Sequence, residues 1–191
     1  VREIALHVLD LLQNSVEAGA SRVSVDITED AATDRLVLEV RDDGRGMPPR
    51  IRDRVFDPFV TTRRTRRVGL GLPLLAVAAR QTGGDASVES SPGRGTTITV
   101  SFGLTHLDRA PLGDMAATLV TILAANPQLK LHYRHRRDGG EALFDTEVIA
   151  NQMGAVPWGE PQVALWARDA IRSGLAALPD PVSGPVRDKG R

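Results

Sequence analysis

The chain has 191 residues, 41% hydrophobic and 25% charged, the ordinary make-up of a globular protein with a core of its own. Its 24 Lys+Arg balance 24 Asp+Glu, so net charge points to neither a nucleic-acid nor a membrane partner, and zero cysteines exclude disulfides, thiolate metal sites and a cysteine nucleophile. No apolar run reaches membrane-spanning length: the best, Leu112 to Ala125, is short and holds Asp114.

Residues 2–18 read as a helix, with Ile4, Val8, Leu11, Leu12 and Val16 at helical spacing and Gly19 as its stop. Two strands of period-2 alternation follow (Val23, Val25, Ile27, then Leu36, Leu38, Val40), separated by a polar turn from Asp30 to Asp34. A Gly/Pro-punctuated loop from Asp42 to Pro49 leads into a short helical stretch at 51–56, then an arginine-laden loop up to Val68. Residues 70–82 form a second apolar helix that tolerates Pro73 in its first turn and ends at Gly83-Gly84. Strands at 86–90 and 96–102 complete an order of helix, two strands, loop, helix, two strands. That order predicts an α/β (α+β) two-layer sandwich, a mixed and mostly antiparallel sheet with helices on one face. Near residue 104 the character changes. A helix at 112–125, strands at 129–136 and 141–144, a helix at 146–153 and another from Pro161 to about Leu178 predict a small C-terminal α/β unit. The expected division is therefore 1–103, 104–178 and a Pro-, Gly- and charge-rich tail at 179–191 that reads as disordered.

The first helix carries more than its apolar face. Glu3, His7, Asp10, Asn14 and Glu17 follow 4-3-4-3 spacing and share one stripe about 80° wide at ~100° per residue. The rest of the helix is apolar around a broad arc, so this stripe lines a cleft more readily than open water. Asp10 and Asn14, one turn apart, present a carboxylate and an amide oxygen in one direction, a pair suited to a hard cation such as Mg²⁺. Two glycine loops follow. Asp42-Asp43-Gly44-Arg45-Gly46 comes straight off a strand and lets a flat ligand approach the backbone, although Asp and Gly are also default turn residues. Val68-Gly69-Leu70-Gly71-Leu72 enters a helix N-terminus, where free N–H groups and the helix dipole favour phosphate. It is neither a Walker loop nor a dinucleotide fingerprint, since no Gly-Lys-Ser/Thr follows and no βαβ unit surrounds it. Between the loops, residues 50–67 hold seven arginines against two aspartates, a local excess of +5 that fits a polyphosphate. His132 and His135, three apart on one strand, face opposite ways and cannot share a metal.

In this order and spacing, these elements resemble the GHKL ATP-binding fold shared by gyrase, heat-shock chaperone, histidine kinase and MutL-type mismatch-repair ATPases. Leu11 to Ala20 (LLQNSVEAGA) looks like the family's N box and Asp42 to Gly46 its G1 box. Val55 to Thr62 (VFDPFVTT) looks like the F box of histidine kinases, Gly69 to Leu72 the G2 box, and Ser91 to Thr96 the last motif. The resemblance covers residues 2–103. It implies that Asn14, with Asp10 beside it, holds Mg²⁺, and that Asp42 accepts a hydrogen bond from the adenine amino group with Thr96 in support. It further implies that Gly44 and Gly46 admit base and sugar, that Gly69 and Gly71 admit phosphates, and that Arg63 and Arg64 sit in a mobile lid over the nucleotide. Two positions depart from the pattern. Asp10 stands where gyrase-like members carry a glutamate base and kinases an asparagine, and Arg67-Val68 replaces the usual glycine at the start of the G2 box. The strand and helix ahead of the N box, and a helix pair with a phosphoacceptor histidine, have no counterpart in these residues. With no initiator Met, a trimmed start and a trait of the chain both remain open.

The resemblance therefore implies a cytoplasmic, Mg-ATP-binding protein of bacterial signalling, similar to stand-alone histidine-kinase-like ATPases. The expected activity is phosphotransfer to a protein partner in trans, with Asp10 the candidate catalytic residue and with no nucleic acid or membrane involved. A homodimer is compatible with it. Two alternatives stay open: an ATP-hydrolysing switch of gyrase/MutL type whose lid repositions residues 104 onward, and a non-catalytic nucleotide sensor that docks on a partner complex.

Overall fold

The computed structural model describes residues 3–57 and 71–181. The expected lid residues Arg63 and Arg64, the glycine Gly69 and most of the expected tail lie outside the described residues. Helix α1 (Ile4–Glu17) is followed by β1 (Arg22–Asp30), β2 (Arg35–Asp42), the short α2 (Pro49–Arg52), α3 (Gly71–Gln81), β3 (Ala86–Ser90) and β4 (Thr96–Gly103). Then come α4 (Met115–Ala125), β5 (Lys130–Arg137), β6 (Gly140–Asp145), α5 (Thr146–Met153) and α6 (Pro161–Ala176). The apolar period decides each type: 3.6 in α1, where Ile4, Val8, Leu11 and Leu12 are buried, and 2 in β1, where Val23, Val25 and Ile27 alternate with half-exposed Ser24, Asp26 and Thr28.

One six-stranded sheet runs through the molecule in the order β3-β4-β2-β1-β5-β6. The pairs are antiparallel except β1 with β5, which run parallel from Arg22↔Lys130 to Glu29↔Arg137. One face of the sheet, with Val25, Leu38, Val100, Leu131 and Phe144, packs under the helices in a single cluster with Leu12, Leu75, Leu119 and Ile171. The other face is polar. A row in register crosses all six strands on it: Asp145, His132, Ser24, Arg41, Thr97, Glu89. The row is tied by His132 Nδ1 to Asp145 Oδ2 at 2.8 Å and by Arg41 Nε donating to Thr97 Oγ1 at 3.2 Å. This is the mixed, mostly antiparallel two-layer sandwich that the element order predicts.

The residues expected as a separate C-terminal unit join this same sheet and core. β5 and β6 extend it beyond β1, and Leu119, Leu131, Tyr133 and Ile171 belong to the cluster that holds α1 and β2. The connection is pinned as well. Leu104 N donates to Asp34 O at 3.0 Å, Thr105 N to Asp34 Oδ1 at 2.9 Å, and Ile4 N and Ala5 N donate to Pro111 O and Leu112 O, each at 2.9 Å. A boundary at 103/104 thus does not separate two hydrophobic cores. Sequence could not show this, because strand pairing between residues over a hundred positions apart leaves no local signal.

Candidate functional site

Helix α1 is the element on which the site is built. Its apolar face anchors it over β2, which leaves Asp10 and Asn14 half-buried and side by side one turn apart, while His7 is buried and Glu17 exposed. The helix ends on Gly19, at φ +77°, which turns the chain down into β1.

Asp42 closes β2 on the helix-facing side of the sheet. Both of its carboxylate oxygens are engaged: Oδ1 accepts from Gly44 N at 2.9 Å and Oδ2 from Ser15 Oγ at 2.9 Å. The side chain therefore bridges the strand end, its own loop and α1. Thr96, the partner of Asp42 in the β2–β4 register, stands beside it. Its Oγ1 lies 3.0 Å from Ser90 Oγ, which also accepts from Met47 N at 2.9 Å and donates to Gly95 O at 2.8 Å. Asp43 points away from this group. Burial works to raise its pKa, but the Ser21 hydroxyl and the Arg22 and Ser21 amides outweigh it and hold the carboxyl below the usual range.

The glycines of the two turns serve close backbone approach. A Cβ on Gly46, at φ +65°, would run into Ser91 O, and one on Gly95, at φ +73°, into Asp42 O. The 42–46 loop and the 91–95 turn are thus interlocked, with Gly93 N donating to Arg45 O at 2.8 Å. Gly44 is crowded in the same way, its Cβ position lying 2.9 Å from Ala18 Cβ. What presses on Gly44 and Gly46 is the protein's own backbone and side chains. Gly71 opens α3 on the far side of α1, where its Cβ position is 3.3 Å from Asp10 Oδ2.

The described part of the expected site therefore comes together around α1, with Asp42 and Thr96 at one end, Gly71 at the other and Asn14 and Asp10 between. No cluster of three His, Cys, Asp or Glu side chains able to hold a metal occurs among the described residues. A cation at Asp10 and Asn14 would take its remaining ligands from a bound polyphosphate and water. The residues fit that role: a carboxylate already sits against the helix N-terminus where phosphate would lie, and a divalent cation is the natural bridge between two anions. Ser15 and Ser90 are the site residues that the sequence reading missed. A signal for both was present. Val8, Leu11, Leu12 and Ser15 share one buried helix stripe, and Ala86, Val88 and Ser90 one strand face, so each serine takes a slot that otherwise holds an apolar side chain.

The family model of histidine kinase-, DNA gyrase B- and HSP90-like ATPases matches residues 2–106, more than half of the chain. The chain belongs to this family. Among curated relatives, this ATPase domain is 36% identical over 104 residues to the sensor histidine kinase AruS of Pseudomonas aeruginosa, covering 51% of this chain and 10% of that one. It is 36% identical over 96 residues to the sensor histidine kinase WalK of Bacillus subtilis, covering 48% and 15%. With the sensor histidine kinase YxdK of Bacillus subtilis the identity is 41% over 73 residues, or 36% and 22%. The chain thus spans about a tenth to a fifth of the length of these relatives. Among solved structures, the N-terminal domain of a DNA repair protein superposes with a TM-score of 0.52 at 16% identity, over 76% of this chain and 53% of that one. At that identity the likeness is one of fold, and it covers more of the chain than the family match does. The ATPase domain is accordingly an ATP-binding domain of histidine-kinase type. None of its described helices is long and apolar enough to cross a membrane.

Proposed function

We propose that the chain binds Mg-ATP across α1 and passes the γ-phosphate to a protein partner in trans, as a histidine-kinase-like component of bacterial cytoplasmic signalling. The observation that carries the nucleotide part is Asp42, a carboxylate held from two sides at the end of β2, beside Thr96 and bonded to Ser15, the residue that follows Asn14 in α1. In this reading Asp42 accepts from the adenine amino group and Thr96 supports it. Gly44 keeps the loop close against the end of α1 and Gly46 keeps it against the 91–95 turn, and the phosphates run toward Gly71, with Gly69, Arg63 and Arg64 as their proposed cover. Asn14 and Asp10 would hold Mg²⁺, which when bound supplies charge neutralisation at the phosphates. The transfer part is supported by relatives that are sensor histidine kinases. A protein acceptor, a second copy of this chain included, is the expected partner, with neither nucleic acid nor membrane.

A second reading, ATP hydrolysis, is favoured by Asp10, whose carboxylate lies against the first residue of α3, where a γ-phosphate and its attacking water would meet. One experiment separates the readings and tests their common ground. The parent and Asp42→Asn are incubated with ATP labelled at the γ-phosphate, and bound nucleotide, free phosphate and labelled protein are all scored. Loss of binding in Asp42→Asn supports the site, and undiminished binding overturns it. Label on protein supports phosphotransfer; free phosphate that is lost in Asp10→Asn, with binding retained, supports hydrolysis.

A further inference from the structure

Ser15 is buried on the underside of α1, in a helix stripe otherwise filled by Val8, Leu11 and Leu12. Its hydroxyl has one proton and two acceptors in reach, Leu11 O at 3.2 Å and Asp42 Oδ2 at 2.9 Å. The carboxylate is the shorter and the charged one, and a hydrogen bond to an ionised acceptor is about twice as strong as one between neutral groups. With Ser15 on Oδ2 and the Gly44 amide on Oδ1, the plane of the carboxylate is fixed from opposite sides. What remains exposed to a ligand is a pure acceptor of set direction.

We propose that Ser15 is a positioning residue for nucleobase selection: by orienting Asp42 it makes the site prefer purine nucleoside triphosphates that carry an exocyclic 6-amino group. This role rests on Asp42 being the base-recognition residue proposed above. A 6-amino group donates into the fixed acceptor. A purine without that group covers the carboxylate and its water without supplying the third donor that replaces that water, and a 6-oxo purine sets two acceptors face to face; both are penalised. A carboxylate free to rotate would discriminate less, because it could turn its acceptor away and recover other partners. Ser15 keeps it from turning.

The test compares ATP with purine riboside triphosphate, the same ring lacking the 6-amino group, by titration calorimetry on the full chain. In the parent, ATP is expected to bind at least about tenfold more tightly, the range for one unpaired polar group at a buried site. In Ser15→Ala, ATP affinity is expected to fall about fivefold while purine riboside triphosphate is unchanged, so that the ratio collapses. Ser15→Cys keeps the side-chain size and replaces the hydroxyl by a weak donor, so it should show the same collapse without a cavity. Ser15→Thr, which retains the hydroxyl, should preserve the ratio. Equal weakening of both nucleotides, or an unchanged ratio in Ser15→Ala and Ser15→Cys, overturns the proposal while leaving the Asp42 reading intact. A parent that binds both nucleotides equally overturns that reading and the proposal with it.

Discussion

Gly46 and Gly19 both put the backbone in the left-handed region, yet they answer to different constraints. A side chain at Gly19 would meet nothing within 4 Å, so Gly19→Ala carries only the conformational penalty of positive φ, about 1 kcal/mol or a fall of roughly 3 °C in Tm. At Gly46 the added methyl would collide with the carbonyl of Ser91, and the interlocked turns must separate. Gly46→Ala is expected to cost about 3 kcal/mol or more and to lower Tm by roughly 10 °C, measured by thermal denaturation of the two variants side by side. Asn14 is tested through the metal it is proposed to hold. In the parent, Mg²⁺ should tighten ATP binding and a chelator should reverse the gain; in Asn14→Ala, affinities with and without Mg²⁺ should coincide. Persistence of the full metal effect in that variant would remove Asn14 from the ligand set. What hid Ser15 from the sequence reading belongs to this scale too: the polar stripe of α1 drew attention, whereas the informative residue was the polar one on the apolar side.

At the level of elements, the join between β1 and β5 is held by charge as well as by ladder hydrogen bonds. Glu29, on the inner face of β1, accepts from Arg137 Nη2 at 2.7 Å and has His135 Nε2 at the same distance, and Tyr133 Oη lies 3.0 Å from His135 Nδ1. Burial works to raise the Glu29 pKa, but the hydrogen bonds and charge of His135 and Arg137 prevail and lower it to about 2. Tyr133 is raised, chiefly by burial and then by the Glu29 charge. A carboxyl depressed on folding stabilises above its unfolded pKa and loses that contribution as pH falls through the folded value. The join should therefore be at full strength above about pH 4.5 and weaken from there to about pH 2, a contribution on the order of 3 kcal/mol. Glu29→Gln should unfold more readily in urea at pH 7 and show a flatter stability profile between pH 5 and 2. A variant profile parallel to the parent's would contradict the assignment. The elements themselves were legible because each carries its own period; the helix at 112–125 only began later, at Met115, since Asp114 caps it by accepting from Ala117 N. The order of the strands was not legible. Nothing within Lys130–Arg137 states that its partner is β1, since Leu131, Tyr133 and His135 would fill the inner face beside any neighbour.

For the whole molecule, the family match and the physical unit have different extents. The match ends at residue 106, but the sheet and the core continue through β6 and α6. A fragment of residues 1–103 would leave the length of β1 as an open edge and uncover the side of α1 against which α4 packs, where Thr118 Oγ1 donates to Ala5 O at 3.3 Å. Such a fragment is expected to lack a cooperative thermal transition and to associate, whereas the full chain should melt in one step; sharp melting of a monomeric fragment would show that the first half stands alone. The same continuity bears on the switch reading of the sequence, since swinging residues 104 onward as a body would break the β1–β5 ladder. It also has a consequence during synthesis. Asp26 and Arg134, which pair across that ladder, are 108 residues apart, so at about 5–20 residues per second the ribosome needs on the order of 5–20 s between making one and the other. Throughout that interval β1 waits with Val23, Val25 and Ile27 on one side and an unpaired backbone edge along its length. The yield of folded chain should therefore depend on how quickly translation delivers Lys130 to Arg137.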